Sequence, residues 1–465
     1  MRSTLFYIPQ ELFGYPLFGM GLLLAVWAVV SIGVLAWLIR KQGFNNDTIS
    51  YIPVLLLVGL TIRYLAPGIS EERGLPIRGY GVMLVVAVLS GVALAWVRAK
   101  RMGVSTEIIL SLAFWLFVAG LVGGRTFYVV QNWDQIVDGG PAYTADREPG
   151  EPTPPLSTRL TRTVVSMISV NNGGLVVYGA LIGGGLSLIA FVYRYRIPGL
   201  ALADLIAPSV VLGMALGRVG CFLNGCCFGD VCDLPWAVTF PKQSPPHELS
   251  PAHEQQILMG QIFGLTIGAD KKGAPIIADV RRDTPAAALG RLKAAMRIDR
   301  IGATATPTLD EAQLALMKTY QTGGPLELTI DGNIYRLPML EGAKDHSLPV
   351  HPSQLYSTID AILLCLFLIA YYPYRWRDGE VAALTMILHP ISRYLLEIIR
   401  NDESPIFGTG LTISQNISLG ILFLGIGLWV YVSRKPMGTA WPTAESLAAG
   451  KAVGGGTGRA IARPA

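Results

Sequence analysis

The chain has 465 residues, of which 51% are hydrophobic and only 15% are charged, and its formal net charge is +5. Soluble domains carry about 25% charged residues, so this composition excludes an ordinary water-soluble enzyme and equally a disordered chain. The mild positive charge is too small to indicate nucleic-acid binding and is typical of basic cytoplasmic loops between membrane helices.

Nine apolar stretches qualify as candidate membrane helices, because a bilayer core about 30 Å thick needs roughly 20 mainly apolar residues. They lie at about 15–39, 51–67, 80–97, 106–130, 174–193, 201–222, 355–373, 381–400 and 411–433. Residues 1–14 contain charged residues and a proline but no small-residue cleavage site, so we expect no cleavable signal peptide.

Lysine and arginine predict the orientation of these helices. Basic clusters follow the first, third, fifth, seventh and ninth spans: Arg40-Lys41, Arg98/Lys100/Arg101, Arg194/Arg196, Arg375/Arg377 and Arg434-Lys435. Because basic loops stay in the cytoplasm, that side is cytoplasmic. We therefore expect the N-terminus and the segments 131–173 and 223–354 outside, and the C-terminus with its flexible tail 436–465 inside.

Segment 241–348 has the polarity of a soluble domain. Two apolar-alternating runs flank Asp331-Gly332-Asn333, which predicts a hairpin. Thr308 precedes a helix-periodic run and is a candidate N-cap. The sequence thus predicts an all-α polytopic membrane protein with an α/β domain inserted outside the cytoplasm between two spans.

A few ionisable residues inside the predicted spans stand apart from the basic clusters. They are Arg125, Arg218, Arg393, Glu397 and Arg400. Charges within membrane helices are costly and mark functional sites by default, although a single arginine also snorkels to the interface. Because all of these lie toward the outer helix ends and include a carboxylate, we predict a site there.

Seven motifs, in the same order, resemble those of prolipoprotein diacylglyceryl transferases. They are Arg78-Gly79-Tyr80-Gly81, Gly123-Gly124-Arg125-Thr126-Phe127-Tyr128, the run Gly217–Gly229, Trp236-Ala237-Val238-Thr239-Phe240-Pro241, His351-Pro352-Ser353-Gln354-Leu355-Tyr356, the run Ser392–Arg400, and Leu411-Thr412-Ile413-Ser414-Gln415. The match covers about 76–240 and 349–435. It implies a seven-helix transferase core in those two parts, split by the insert 241–348, with an N-terminal two-helix addition at 1–75.

The resemblance implies a multi-pass enzyme of the bacterial cytoplasmic membrane. It would transfer the diacylglyceryl group of phosphatidylglycerol to the lipobox cysteine of a prolipoprotein signal peptide, forming a thioether and releasing glycerol phosphate. Arginine suits such a site because its planar guanidinium binds phosphate through two parallel hydrogen bonds and stays charged. We predict Arg218 as the main phosphate clamp and Arg393 as the second, with Glu397 orienting Arg393 and Tyr80 holding the headgroup.

Further polar residues are predicted to contact substrate. They are Arg125, Tyr178, Asn224, His351, Gln354, Tyr356 and Arg400. The expected partners are phosphatidylglycerol and prolipoprotein signal peptides, and no cofactor or metal is expected.

This chain departs from the family pattern at three positions. Tyr178 stands where a histidine is usual, and Cys221 and Cys226 stand where an asparagine and a glutamate are usual. A general base built on that histidine is therefore absent, and Tyr178, Glu397 and His351 are alternative candidates. The departures keep open a second hypothesis, a non-catalytic phospholipid- or lipoprotein-binding scaffold on the same fold.

Four of the five cysteines cluster near the outer end of the sixth span: Cys221, Cys226, Cys227 and Cys232. Because disulfides persist outside the cytoplasm, we expect one or two bridges. Cys226 and Cys227 are a poor pair, whereas Cys221 or Cys232 could partner either. A metal site with His247, His253 or His351 is the weaker alternative, because no zinc-type spacing appears.

Within the insert, residues 258–338 resemble a PDZ domain in the order of their elements. Gly260–Gly264 would be the carboxylate-binding loop before a strand, and the helix at 308–320 would precede the closing hairpin. The resemblance implies that an extended peptide adds to the sheet edge. The alternative is a structural α/β insertion without a ligand.

Overall fold

The protein is described here from a computed structural model. It describes residues 4–43, 52, 55, 56, 58–68, 70, 74–133, 157, 160, 161, 163, 164, 167, 176–242, 249–270, 272–400 and 410–441. Most of the predicted outer segment 131–173, the residue His247 and the tail beyond 441 lie outside these residues.

Long apolar helices dominate the described chain. Those before the insert are α1 (Leu22–Gln42), α2 (Gly79–Arg101), α3 (Thr106–Gln131), α4 (Val177–Tyr195) and α5 (Gly199–Asn224). Six helices of the described residues are long and apolar enough to cross a membrane: Leu22–Lys41, Gly79–Arg101, Thr106–Gln131, Gly199–Asn224, Ser353–Tyr374 and Ile413–Ser433. The predicted polytopic helical architecture is confirmed at this level.

Nine spans are not confirmed. The predicted span 51–67 falls partly outside the described residues, and its described part includes a π-helical turn at Thr61–Leu65. The predicted span 174–193 corresponds to α4, whose apolar run is interrupted by glycines and tyrosines. The predicted span 381–400 forms an 18-residue helix, Glu380–Glu397, that carries several ionisable side chains. Neither helix is among the six described helices that are long and apolar enough to cross a membrane.

The inserted segment forms an α/β domain with its own apolar core, as predicted. Its elements are α6 (Pro251–Leu258), β5 (Leu265–Ala269), β6 (Pro275–Val280), α7 (Pro285–Ala288), β7 (Arg300–Ile301), β8 (Thr304–Ala305), α8 (Leu309–Thr322), β9 (Leu326–Ile330) and β10 (Asn333–Leu337). Strands β5 and β6 pair with each other, and a second sheet has the order β10-β9-β7-β8. The Thr308 side chain and Glu311 form a capping box at α8, and β9 pairs with β10 around Asp331-Gly332, so both local predictions are confirmed.

After the insert the chain continues as α9 (Ser353–Tyr371), α10 (Glu380–Glu397) and α11 (Ile413–Ser433). At the N-terminus, β1 (Thr4–Ile8) pairs antiparallel with β4 (Leu75–Arg78), which leads directly into α2, and β2 (Glu11–Leu12) pairs with β3 (Tyr15–Pro16). The segment that the sequence sets apart as an addition is thus hydrogen-bonded to the strand that precedes the core.

The described chain consists of two compact units. One comprises residues Met1–Ala87, Met214–Ile362 and Pro390–Gly420, and includes the insert. The other comprises Val88–Gly213, Leu363–His389 and Ile421–Ala465.

Helices α3 and α4 cross closely within the second unit. A Cβ added at Gly123 would lie 2.4 Å from the Gly179 carbonyl oxygen, and one at Gly183 would lie 2.4 Å from that of Ala119. Small residues of this kind allow helix backbones to approach in a membrane, where apolar burial adds little.

The second unit also contains a buried ion pair that was not predicted from the sequence. Arg375, interpreted above as part of a cytoplasmic basic cluster, is 2% exposed, and its Nε lies 3.6 Å from Asp204 Oδ2. The fully buried Asp204 also accepts the backbone N–H groups of Gly379 and Ala382 at 2.8 Å, which satisfies the N-terminal turn of α10. Arg375 is therefore a packing residue of this unit.

Candidate functional site

An arginine–carboxylate cluster occupies the C-terminal end of α10. Arg393 donates to Glu397, one helical turn later, and also to the Ser414 hydroxyl at 3.0 Å. Arg400 Nε lies 3.9 Å from the same Glu397 oxygen. The Glu397 side chain is 1% exposed. The prediction that Glu397 orients Arg393 from the same helical face is consistent with this pairing.

Arg218, on α5, belongs to the same electrostatic neighbourhood. Arg393 lies within electrostatic range of both Arg218 and Arg400. Three guanidinium groups and a single carboxylate leave this neighbourhood with an excess of positive charge. Within the described part of the chain, the Arg218 guanidinium has no hydrogen-bond or ion-pair partner, so its donors remain available to an anion.

Tyr80 reaches this region because α2 and α5 approach closely. Gly220 lies at the crossing, where an added Cβ would be 3.2 Å from both Tyr80 Cδ2 and Met83 Cβ. Tyr80 is 42% exposed and lies within electrostatic range of Arg218. The structure thus brings the predicted headgroup residue close to the predicted phosphate clamp.

The N-terminus of α9 is bound to the segment that follows α5. Gln354 Nε2 donates to the Cys226 carbonyl and Ser353 Oγ to the Cys227 carbonyl, both at 2.8 Å. The Gly229 N–H donates to the His351 carbonyl at 2.9 Å. Gln354 is fully buried, and its side-chain amide holds this stretch of backbone.

A second contact of this region joins the aromatic motif residues. Trp236 Nε1 donates to the Tyr356 hydroxyl at 2.7 Å, and the His351 and Tyr356 rings meet edge to face with centroids 6.3 Å apart. The His351 Nδ1 is buried and makes no hydrogen bond among the described residues. The Asp230 N–H donates to the Ile399 carbonyl, which ties this segment to the arginine cluster of α10.

Two predicted site residues belong to the second compact unit. Arg125 Nε donates to the Met167 carbonyl at 2.8 Å, and its guanidinium lies 4.9 Å from the centre of the Tyr128 ring. Tyr178 precedes Gly179 at the α3–α4 crossing. Asn224, by contrast, lies at the end of α5 in the first unit and interacts with Cys226.

The predicted disulfides are not formed. All five cysteines are free thiols, and three of them, Cys221, Cys226 and Cys227, lie together with their sulfur atoms within 4.8 Å of one another. Cys232 stands apart because its N–H pairs with the Pro349 carbonyl in a different stretch of backbone.

Sequence reasoning missed the positioning residues of this site. Ser353 and Ser414 hold Cys227 and Arg393, yet serines carry little signal in a sequence. Their only indication in the sequence is that each lies inside one of the seven motifs. Trp236 likewise belongs to a motif, and its contact with Tyr356 becomes visible only when the chain folds.

The fold and the site define a polytopic helical membrane protein with clustered cations and one buried carboxylate. Comparison with known proteins gives the family. The family model described as prolipoprotein diacylglyceryl transferase matches residues 68–431, and the chain belongs to this family.

Relatives carry the same description. The phosphatidylglycerol–prolipoprotein diacylglyceryl transferase of Rhodopirellula baltica is 30% identical over 465 residues, covering 91% of this chain and 87% of the relative. The protein of the same name from Trichormus variabilis is 32% identical over 193 residues, covering 41% of this chain and 60% of the relative. That of Clostridium tetani is 31% identical over 176 residues, covering 38% and 61%.

Proposed function

We propose that this protein transfers the diacylglyceryl group of phosphatidylglycerol to the lipobox cysteine of prolipoproteins. The observation that carries the proposal is the pairing of Arg393 and Arg400 with the buried Glu397, with Arg218 within electrostatic range of Arg393. Family membership and the names of the relatives support the same reaction.

The chemistry requires a thiolate to attack a glycerol carbon while a phosphate leaves. Arg218 holds the phosphate, and its charge stabilises the negative charge that grows on the leaving oxygen. Arg393 supports it, held in place by Glu397 and Ser414. In a site with little water these charges act more strongly than they do in bulk solvent.

For the membrane topology, we propose the bacterial cytoplasmic membrane with the N-terminus and the insert outside and the C-terminus inside. The placement of the basic clusters supports this orientation. Reporter fusions after Arg101 and within the insert should report the cytoplasm and the exterior, respectively. The reverse pattern would contradict the orientation.

The transfer assay uses the purified full-length protein, phosphatidylglycerol and a lipobox peptide. The expected products are a diacylglyceryl peptide and glycerol phosphate. Arg218→Ala should abolish them. The matched control is Arg336→Ala, which removes an arginine whose side chain is 73% exposed on the insert and should leave the rate unchanged.

A lack of product from wild-type protein that still binds phosphatidylglycerol would overturn the enzymatic proposal. That result would favour the alternative, a non-catalytic phospholipid- or lipoprotein-binding scaffold. Normal turnover by Arg218→Ala would contradict the phosphate-clamp role alone.

We further propose that the insert is PDZ-like and binds a peptide along β5. A cavity of about 450 Å³ is lined by Leu265, Thr266 and Ile267, and also by Asp230 and Val231, which follow the thiol cluster in the chain. Three N–H groups of the loop 260–264 already donate to nearby carbonyls and are therefore not available to the carboxylate of a peptide. The support for peptide binding comes from the cavity.

Thr266→Arg tests this second role by filling the cavity. We expect it to weaken binding of a prolipoprotein peptide that extends beyond the lipobox, while a peptide ending at the cysteine is bound as before. Thr322→Arg, on the far end of α8 and outside the cavity lining, is the control. Equal binding of the long peptide by both variants would contradict the proposal.

A further inference from the structure

Three cysteines are brought together by the way α5 ends. Gly225 adopts a left-handed conformation, with φ at +75°. The Cys226 N–H donates to the Cys221 carbonyl, and the Gly225 N–H donates to the Phe222 carbonyl, both at 3.2 Å. This is a Schellman motif, which folds the second residue after the helix back onto its last turn. Here it folds Cys226 onto Cys221.

Cys227 completes the cluster at a cost in backbone energy. Its φ is +60°, a conformation that costs a residue with a side chain about 1–2 kcal/mol. The carbonyls of Cys226 and Cys227 are held by Gln354 and Ser353 from the N-terminus of α9. The three sulfur atoms lie within 4.8 Å of one another and are therefore fixed by two separate elements of the fold.

Such an arrangement suits a metal ion better than a disulfide. A disulfide would use two of the thiols and leave the third beside it. Three thiolates bound to one zinc ion at about 2.3 Å in tetrahedral geometry have sulfur atoms roughly 3.8 Å apart, which small side-chain movements reach from here. The spacing 221, 226, 227 is not of the usual zinc type because the turn, and not a simple loop, brings the ligands together.

We propose that Cys221, Cys226 and Cys227 bind one Zn²⁺ as thiolates and that its fourth position takes the acceptor cysteine of the peptide substrate. In the described chain no histidine, aspartate, glutamate or further cysteine joins this group. Three protein ligands and one open position are typical of catalytic rather than structural zinc.

The surroundings fit an anionic metal site. Three thiolates and one Zn²⁺ carry a net negative charge. Arg218 lies one helical turn before Cys221, and both Arg218 and Arg400 lie within electrostatic range of Cys227. Tyr80 lies within electrostatic range of all three thiols. The thiol cluster therefore adjoins the residues that bind the phosphate.

This inference rests on the proposed transfer reaction, and the step balances without a redox change. Coordination to zinc releases the proton of the acceptor thiol to water and leaves a thiolate. A sulfur electron pair forms the C–S bond to the glycerol carbon, and the C–O bond to the phosphate breaks with its electrons on glycerol phosphate. Zinc stays divalent, and the acceptor thiolate forms without a side-chain general base.

Cobalt titration of the full-length protein tests the metal site. The reduced, metal-free protein in detergent should develop a sulfur-to-cobalt charge-transfer band that saturates at one Co²⁺ per chain and disappears when Zn²⁺ is added. Cys226→Ser and Cys227→Ser should each weaken metal binding by at least tenfold. Cys232→Ser, which removes a thiol outside the cluster, should bind as the wild type does.

Absence of the band in wild-type protein would overturn the proposal whatever the variants do. So would a disulfide between any two of the three cysteines, found by mass spectrometry of protein alkylated before reduction.

The fourth position is tested by adding lipobox peptides to the cobalt protein without phospholipid. A peptide with cysteine should raise the charge-transfer intensity by about a third, because a fourth thiolate joins three, whereas the serine analogue should leave it unchanged. Equal spectra with both peptides would overturn this part. Since no turnover is involved, failure of the transfer assay and failure of this titration are separate results.

Discussion

Arg393 and Glu397 lie one turn apart on α10 and form an ion pair in which the carboxylate side chain is 1% exposed and the arginine side chain 18% exposed. The Ser414 hydroxyl, at the start of α11, accepts a hydrogen bond from the other terminal nitrogen of this guanidinium at 3.0 Å. Arg393 is therefore held in one orientation from two helices, which suits the phosphate-binding role proposed for it.

Glu397→Gln should lower the transfer rate by about 10- to 100-fold, because a charge-assisted hydrogen bond contributes about 1.5–3 kcal/mol and its loss frees Arg393 to reorient. Steady-state rates with phosphatidylglycerol and peptide measure this. Glu327→Gln, in an exposed pair with Arg336 on the insert, is the control and should keep the full rate. An unchanged rate in Glu397→Gln would mean that Arg393 needs no positioning.

Gly220→Val should lower both the melting temperature and the transfer rate, because its Cβ would lie 3.2 Å from Tyr80 and Met83 and push α2 away from α5. Gly217→Val introduces the same side chain into the same helix, where an added Cβ meets no atom within 4 Å. It should therefore be the more stable of the two variants in a thermal melt in detergent. Equal melting temperatures would contradict the close crossing.

Asp204→Asn should destabilise the protein by up to roughly 3–5 kcal/mol, because it leaves the buried Arg375 guanidinium with only the Asp378 carboxylate, at 3.8 Å, as a charge partner. Thermal unfolding in detergent measures the loss. Asp233→Asn removes the carboxylate of a pair with Arg281 in which Asp233 is 83% exposed, and should change stability by at most about 1 kcal/mol. Similar losses in both variants would show that the Asp204 pair is not buried in solution.

His253 should make the stability of the insert depend on pH. Its ring is fully buried against Tyr320, and burial lowers its pKa below the ordinary value of 6.5, although the Ala343 carbonyl at 2.8 Å partly opposes this. The unfolded state therefore binds the proton more readily. Stability should be complete above pH 6.5 and decrease as the pH falls below it.

Hydrogen exchange of α6 and α8 amides in the full-length protein, corrected for intrinsic rates, measures this dependence. His253→Gln retains a donor for the Ala343 carbonyl but does not titrate, so its protection should stay level between pH 7 and pH 5.5. Parallel pH profiles for wild type and variant would assign the effect to another group.

Some features of this protein are local in the chain and were predictable. Apolar runs predicted the six long apolar helices of the described chain, although not all nine expected spans. The i,i+4 spacing of Arg393 and Glu397 predicted their shared face, because it depends on helix geometry alone. The capping box at Thr308 and the hairpin at Asp331-Gly332 followed from local hydrogen bonding and turn conformation in the same way.

The tertiary structure decided the rest. Asp204 and Arg375 look like ordinary charges near helix ends until folding buries them together. The cysteines suggested a disulfide by their location, yet the turn at Gly225 and the side chains of Ser353 and Gln354 gather three thiols instead. The physical reason is that burial and contact between distant segments set the partners of a polar group. Composition and spacing identify which charged and sulfur-bearing residues the membrane chain carries, and only packing determines what each one meets.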